Sequence, residues 1–212
     1  MQAPRAKGSR PQVSQAKTPR ADNRLPQILD AAATLFAAKG YQAASIRDIV
    51  KVAGMLPGSL YYHFANKDEL LVAVYAEGVR RINHAVTTAL SRKTEPWARL
   101  EVACVAHLES LLARSAYAKV VISVQPADVP AAARALIALR DGYEGQFTGL
   151  IAALPLPARL RRAQSRTTLR MLLLGALNWA PTWYRPRQRT GALTPRRIAQ
   201  DYIKLLKAEL SA

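Results

Sequence analysis

The chain has 212 residues, half of them apolar and 21 % charged, with a formal net charge of +17. That length and composition suit one or two folded domains with a real core and exclude an intrinsically disordered chain. The single cysteine, Cys104, excludes an intramolecular disulfide framework, a Cys-x-x-Cys redox pair and a cysteine-based zinc finger, and it fits a reducing cytosol.

Residues 1–22 read as a disordered basic leader with little to bury. Residues 1–24 carry a net +5, residues 25–70 a net zero and residues 71–212 a net +12. Such an excess attracts nucleic acid or other anions. An arginine-rich composition, 22 Arg against nine Lys, is the plainer source of much of it. The longest apolar run, Met171 to Tyr184, is too short to span a membrane and is interrupted by Asn178 and Pro181. No apolar stretch of signal-peptide length opens the chain, so the expectation is a cytoplasmic protein without a membrane partner.

From Leu25 the pattern turns helical. Ile28, Leu29, Ala32, Leu35 and Phe36 recur at helical spacing, and Gly40 ends the run where a left-handed cap would sit. Ser45 is placed to cap a short second helix, with Asp48 three residues on as in a capping box. Its apolar face is Ile46, Ile49, Val50 and Ala53, and it stops at Gly54. After a tight turn, Pro57 suits the first position of a third helix that Leu60 and Phe64 anchor inward. Asn66, followed by Asp68 and Glu69, starts a long helix from Lys67 to about Leu90. Its apolar positions are Leu70, Leu71, Val74, Val79, Ile82 and Val86.

Two short helices joined by a glycine-containing turn, with a helix before them, form a helix-turn-helix over residues 45–64. At about 100° per residue, Gly58, Ser59 and Tyr62 point away from the core side, with Tyr61 and His63 on the flanks. Small residues there let the backbone approach a groove, and aromatic edges reach phosphates and bases. The segments Ser45-Ile46-Arg47-Asp48-Ile49, Pro57-Gly58-Ser59-Leu60-Tyr61-Tyr62-His63-Phe64 and Asn66-Lys67-Asp68-Glu69-Leu70 resemble the DNA-binding domain of TetR-family bacterial transcriptional regulators. The resemblance implies that Ser45, Arg47, Pro57, Gly58, Ser59, Tyr61, Tyr62, His63 and Lys67 form the DNA-binding surface. Lys67 matches a phosphate-contacting lysine of the family. Leu56 departs from the Ser or Thr cap that the family often has. It either packs as a hydrophobic staple or lies against a thymine methyl. For Tyr61 and His63 packing is the alternative role.

The rest also reads as helices. They span Pro96 to Leu112, Tyr117 to Val124, Ala131 to Leu154, Arg159 to about Tyr184, and Thr194-Pro195 to about Leu210. The fold class expected is therefore all-α. A helix-turn-helix domain occupies residues 23–82. The resemblance implies a ligand-binding and dimerisation domain over residues 83–212. The segment Asn178-Trp179-Ala180-Pro181-Thr182-Trp183-Tyr184-Arg185-Pro186, followed by Gly191-Ala192-Leu193, resembles a TetR subgroup that regulates sterol-ring and fatty-acyl catabolism. That resemblance implies an acyl-coenzyme A or another hydrophobic anion as effector. The two tryptophans could instead pack a dimer interface.

Between Glu144 and Asp201 the sequence holds ten arginines and no acidic residue. Arg159, Arg162, Arg166 and Arg170 fall on one side of a helical wheel that continues as Leu173 and Leu177. An arginine stripe running into an apolar one could take an anionic headgroup and then an apolar tail. A solvated helix end is the alternative. Trp97, His107, Tyr117, Tyr143 and Phe147 are further candidates to line a pocket, with ordinary core packing as the other reading. No clustered ligands point to a metal, and no cofactor motif appears. No glycine-rich phosphate loop, nucleophile elbow or paired catalytic carboxylates appear, so no catalytic residue is assigned.

The expected function is a ligand-responsive repressor. It would bind double-stranded DNA, at an inverted-repeat operator, as a homodimer and be released by a small hydrophobic or acyl-coenzyme-A-like effector. A constitutive or architectural DNA-binding regulator without such a ligand is the alternative, followed by a basic protein that merely adheres to polyanions.

Overall fold

The computed structural model describes residues 24–185 and 193–210. The basic leader, Pro186, Gly191 and Ala192 lie outside the described residues. Among the described residues every regular element is helical, so the fold is all-α. The α-helices are α1 (Leu25–Lys39), α2 (Ile46–Val52), α3 (Pro57–His63), α4 (Lys67–Leu90), α5 (Pro96–Leu112), α6 (Ala116–Ser123), α7 (Pro130–Ala152), α8 (Ala163–Trp183) and α9 (Pro195–Leu210).

Local chemistry sets these boundaries. Ser45 Oγ accepts the Asp48 N–H at 3.1 Å and starts α2. Asn66 Oδ1 accepts the Glu69 N–H at 2.9 Å, while the Glu69 carboxylate accepts the Ala65 N–H at 2.9 Å. Two otherwise orphaned donors at the head of α4 are thereby satisfied. Gly54 has φ +64° in the turn before α3, where a side chain would be strained. Gly40 also has positive φ, +83°, but its ψ of 158° is extended, so α1 does not end in the left-handed cap expected there. Its N–H still closes on the Phe36 carbonyl.

One expected helix starts late. Pro155 and Pro157 are followed by a single 3-10 turn, Ala158–Leu160, and Arg162 is the residue that flanks α8. Arg159 and Arg162 therefore precede the helix, and the four arginines do not share one helical face.

Two apolar clusters form the interior. The first joins α1–α4, including Ile28, Phe36, Ile49, Leu60 and Leu71, to Tyr117 and Val120 of α6 and to Leu136 of α7. The second joins Val86 of α4 to α5, the end of α7, α8 and α9, through Leu100, Phe147, Leu173 and Ile203. The apolar packing thus does not divide at residue 82, because α4 runs through both clusters and α6 docks on the helix-turn-helix part. Tyr117 of α6 donates to Asp30 of α1 at 2.8 Å, and Arg81 of α4 lies 4.0 Å above the Tyr117 ring.

At Gly78, α4 and α6 approach closely. A Cβ there would meet Val121 Cγ2 at 2.7 Å and the Tyr117 carbonyl oxygen at 3.2 Å. Neither a β-branched side chain nor a backbone atom yields easily. Gly78→Ala should therefore destabilise the fold by about 1–3 kcal/mol, as overpacking does. Gly142 on α7 has open space around it, and Gly142→Ala should stabilise by roughly 0.5 kcal/mol through helix propensity. Urea unfolding of the two variants checks both signs.

Candidate DNA-reading surface and effector cavity

The helix-turn-helix presents its front on a rigid base. Leu60 is fully buried and Phe64 nearly so, which pins α3 to α1 and α2. Tyr62 is 75 % exposed and Tyr61 is 56 % exposed, although both are large rings that would ordinarily seek partners. Gly58 and Arg47 are exposed, while Ser59 and His63 are half-buried. The Tyr62 and His63 rings meet edge-on with centroids 5.2 Å apart. Pro57 supplies the first helical position. Leu56 makes no side-chain cap and is 77 % exposed, so it does not pack as a staple.

Lys67 has an internal task that sequence reasoning missed. Its ammonium donates to the carbonyls of Tyr41, Gln42 and Ala44 at 3.0, 3.3 and 3.1 Å. It also lies 4.3 Å from the centre of the Tyr41 ring. The Tyr41 hydroxyl donates to Asp68 at 2.6 Å, and burial together with that carboxylate raises the phenol's pKa. All three ammonium protons thus hold the turn between α1 and α2, and only the residual charge and the helix N-terminus are left for a phosphate.

A cavity of about 330 Å³ lies between α4 and the helices after it, a size within the usual range of small-molecule pockets. Tyr75, Val79 and Ile82 of α4 form one wall, and His107 and Leu111 of α5 another. Val121 and Ile122 of α6, Val124, Gln125 and Pro126 after it, Arg140, Tyr143 and Glu144 of α7, and Leu174, Gly175, Asn178, Trp179 and Thr182 of α8 complete it. Its polar feature is a hydrogen-bonded chain. His107 Nδ1 is 2.6 Å from the Tyr143 hydroxyl and Nε2 is 2.9 Å from Asn178 Oδ1. An amide oxygen only accepts, so Nε2 carries the ring proton and Tyr143 donates to Nδ1. Burial lowers the His107 pKa to about 4 and outweighs the opposing effect of the Asn178 bond. Burial also pushes the Tyr143 phenol upward.

Of the pocket residues expected from sequence, His107, Tyr143, Asn178 and Trp179 come together on the cavity. Phe147 is fully buried just behind it, edge-on to both His107 and Tyr143. The others are elsewhere. Trp97 is buried in the second apolar cluster, and Tyr117 is engaged with Asp30. Trp183 is exposed and does not line the cavity. Arg162 and Arg166 are also outside it, and Arg170 is tied to Glu144 by a short ion pair. Sequence reasoning missed Tyr75, Arg140 and Glu144. Arg140 and Glu144 flank Tyr143 on α7, so the helical spacing around that tyrosine was the available signal.

Among the described residues, no group of three or more His, Cys, Asp or Glu could hold a metal ion. None of the described helices is long and apolar enough to cross a membrane.

Fold and site together define a helix-turn-helix protein with a ligand-sized cavity between α4 and the helices that follow it. Two family models match it. Bacterial regulatory proteins of the tetR family match residues 28–74, and a tetracyclin repressor-like C-terminal domain matches residues 93–210, more than half of the chain. The chain belongs to the TetR family.

The HTH-type transcriptional repressor KstR2 of Rhodococcus jostii (strain RHA1) is 50 % identical over 48 residues, 23 % of this chain and 24 % of that protein. KstR2 of Mycolicibacterium smegmatis is 34 % identical over 100 residues, 47 % of this chain and 48 % of that protein. The chain matches half or less of the length of these relatives. A tetR-family regulatory protein from Rhodococcus RHA1 superposes with a TM-score of 0.70 at 25 % identity, covering 91 % of this chain and 98 % of that one. AibR, solved with isovaleryl coenzyme A and operator DNA, superposes with a TM-score of 0.68. Its identity is 22 % over 86 % of this chain and 97 % of that one, a likeness that shows the fold alone.

The depressed His107 pKa has a thermodynamic consequence. Between its folded value of about 4 and the ordinary value near 6.5, the unfolded chain binds a proton that the folded chain refuses. Stability is therefore lost as pH falls through that window. Relative to His107→Gln, which does not titrate there, the wild-type chain should lose roughly 2 kcal/mol more between pH 7 and pH 5. Urea titrations of both chains at the two pH values measure the difference.

Proposed function

We propose that the chain is a ligand-responsive transcriptional repressor that binds an inverted-repeat DNA site as a homodimer. The observation that carries this reading is the exposure of Tyr61 and Tyr62 on α3 while Leu60 beneath them is fully buried. A short helix held firmly from behind, with large amphipathic side chains exposed in front, suits insertion into a major groove. Arg47, Ser45, Ser59, His63 and the head of α4 at Lys67 would flank it, and Leu56 is free to meet a thymine methyl. Repression is favoured by the likeness to the KstR2 repressors.

The proposed division assigns residues 23–82 to DNA binding and residues 83–212 to the effector and the dimer. Met171, Leu172, Trp179 and Trp183 of α8 and Leu205 of α9 are exposed large apolar side chains. A second copy covering them would bury the tryptophans, as their alternative role in the sequence suggested. The cavity then holds a small hydrophobic effector. AibR, solved with isovaleryl coenzyme A, supports a short acyl thioester as one candidate. The carrier itself would remain outside a space of about 330 Å³. An effector acts by favouring a spacing of the recognition helices unlike the half-site separation of about 34–36 Å.

Selection from a random duplex pool at physiological salt tests the reading. It should enrich an inverted repeat. Retention without enrichment, lost as salt rises, would sink it in favour of plain polyanion adhesion. On the selected site, Tyr62→Ala and Arg47→Ala should each weaken binding roughly tenfold or more. Both side chains are exposed, so the thermal midpoints should stay at the wild-type value. Electrophoretic mobility shifts and thermal melts check the pair.

A further inference from the structure

The wall of the cavity carries an unmatched positive charge. Among the described lining residues, Arg140 and Glu144 are the ionised side chains. His107 adds no charge near neutral pH, since burial keeps its ring unprotonated. The Glu144 carboxylate is spent on Arg170 of α8, in a short ion pair with a residue that does not line the cavity. Those two charges cancel, and the charge of Arg140 is left.

The Arg140 guanidinium is also short of partners. Its nearest carboxylate oxygens, on Asp141 and Glu144, lie at 3.7 and 4.0 Å, and it makes no hydrogen bond among the described residues. Asp141 is exposed and outside the lining, so water weakens its pull. Arg140 itself is 44 % exposed, which puts it where the cavity meets solvent. A planar fork of N–H donors is therefore uncommitted at the mouth. A further donor belongs to the same cavity. Tyr75 is only 4 % exposed, yet its hydroxyl makes no hydrogen bond among the described residues and is not fully enclosed. Burial raises its pKa, and the charges that act on it are those of Arg140 and Glu144. Other polar groups of the wall are engaged. His107 holds Tyr143 and the exposed Asn178, Gln125 Nε2 donates to the Ile122 carbonyl at 3.3 Å, and Thr182 donates to the Trp179 carbonyl at 2.7 Å. Much of the remaining wall is apolar, with Ile82, Leu111, Val121 and Leu174.

We infer that the cavity takes an apolar carboxylic acid as its carboxylate, the anion held by Arg140 and the hydrocarbon body by the apolar wall, in preference to a neutral molecule of the same shape. A carboxylate matches the guanidinium fork and supplies the countercharge that the wall lacks. At the mouth it keeps part of its hydration, which avoids most of the desolvation that makes buried ion pairs costly. A thioester would offer a neutral carbonyl there, with the phosphates of its carrier a long uncharged arm away. This inference rests on the cavity being the effector site of the proposed regulator, and it narrows the class of effector.

The test uses the intact chain without DNA and three probes: tert-butylcyclohexanecarboxylate, the matching carboxamide and the coenzyme A thioester of the same acid. In calorimetry near neutral pH and at low salt, the carboxylate should bind roughly tenfold more tightly than the carboxamide. That preference should shrink as salt is raised. Arg140→Gln should erase it while carboxamide affinity stays at the wild-type value, which shows the cavity intact. Arg140→Lys keeps the charge without the fork and should retain part of the preference. Asp141→Asn removes the nearer competing acid and should tighten carboxylate binding alone. Equal affinities for carboxylate and carboxamide overturn the inference, as does a preference that survives in Arg140→Gln. Tighter binding of the thioester than of the free acid, or no saturable binding by any probe, overturns it too. Release of the selected DNA site is measured separately. Carboxylate selectivity without release would sink the regulator reading and leave the anion site standing.

Discussion

The structure depends on α4 being buried twice. This helix of 24 residues, about 36 Å long, carries Leu70, Leu71, Val74 and Tyr75 into the first apolar cluster and Val86 into the second. Each end alone would be a marginal helix in water. Joined, they form a rod whose head is fixed by Asn66 and Glu69 and whose middle touches α6 through Gly78. The helix-turn-helix is stacked on that head, and the cavity is built against that middle. A displacement at one is therefore carried to the other by packed side chains, not by a flexible linker.

The DNA-facing part shows what electrostatics contribute and what they do not. Residues 25–70 are neutral overall, and Lys67 is consumed by three carbonyls of the turn it closes. Lys39 is likewise engaged with Asp48 at 3.3 Å. Two of the four cations here are thus turned to partners within the chain, Lys67 to backbone carbonyls and Lys39 to a surface carboxylate. On the proposed reading, recognition falls to shape, to the exposed rings of α3 and to helix N-termini, with Arg47 as an exposed cation beside them.

Local signals in the sequence carried most of the fold. The starts of α2, α4 and α9 were legible because Ser45, Asn66 and Thr194-Pro195 act on their own neighbours, and α5 was bounded as read from Pro96 to Leu112. Gly40 was only half legible, since its sign of φ follows from the residue but its ψ is set by the route of the chain toward α2. The false start of α8 has a related cause: the wheel joined Arg159 to Arg166 by arithmetic, while the two prolines before them forced a 3-10 turn. The cavity was less legible, for contacts such as His107 with Tyr143 and Asn178 span 36 and 71 positions. No spacing rule reaches that far. Lys67 shows the converse: a residue can match a family's phosphate-contacting position while its side chain is turned to a neighbouring loop.

The cavity lining draws on α4 to α8 and on no residue of α1, α2 or α3. If the proposed roles hold, descendants of one ancestral gene could thus diverge in the molecule they sense while keeping the surface that faces DNA. That freedom has a limit. Tyr75 and Val124 line the cavity and are also buried members of the cluster that supports the helix-turn-helix. Substitution at Leu111 or Leu174 alters one trait, whereas substitution at Tyr75 or Val124 alters two. Drift in effector choice should therefore run through the α5 and α8 walls first, with those two positions the slowest to change.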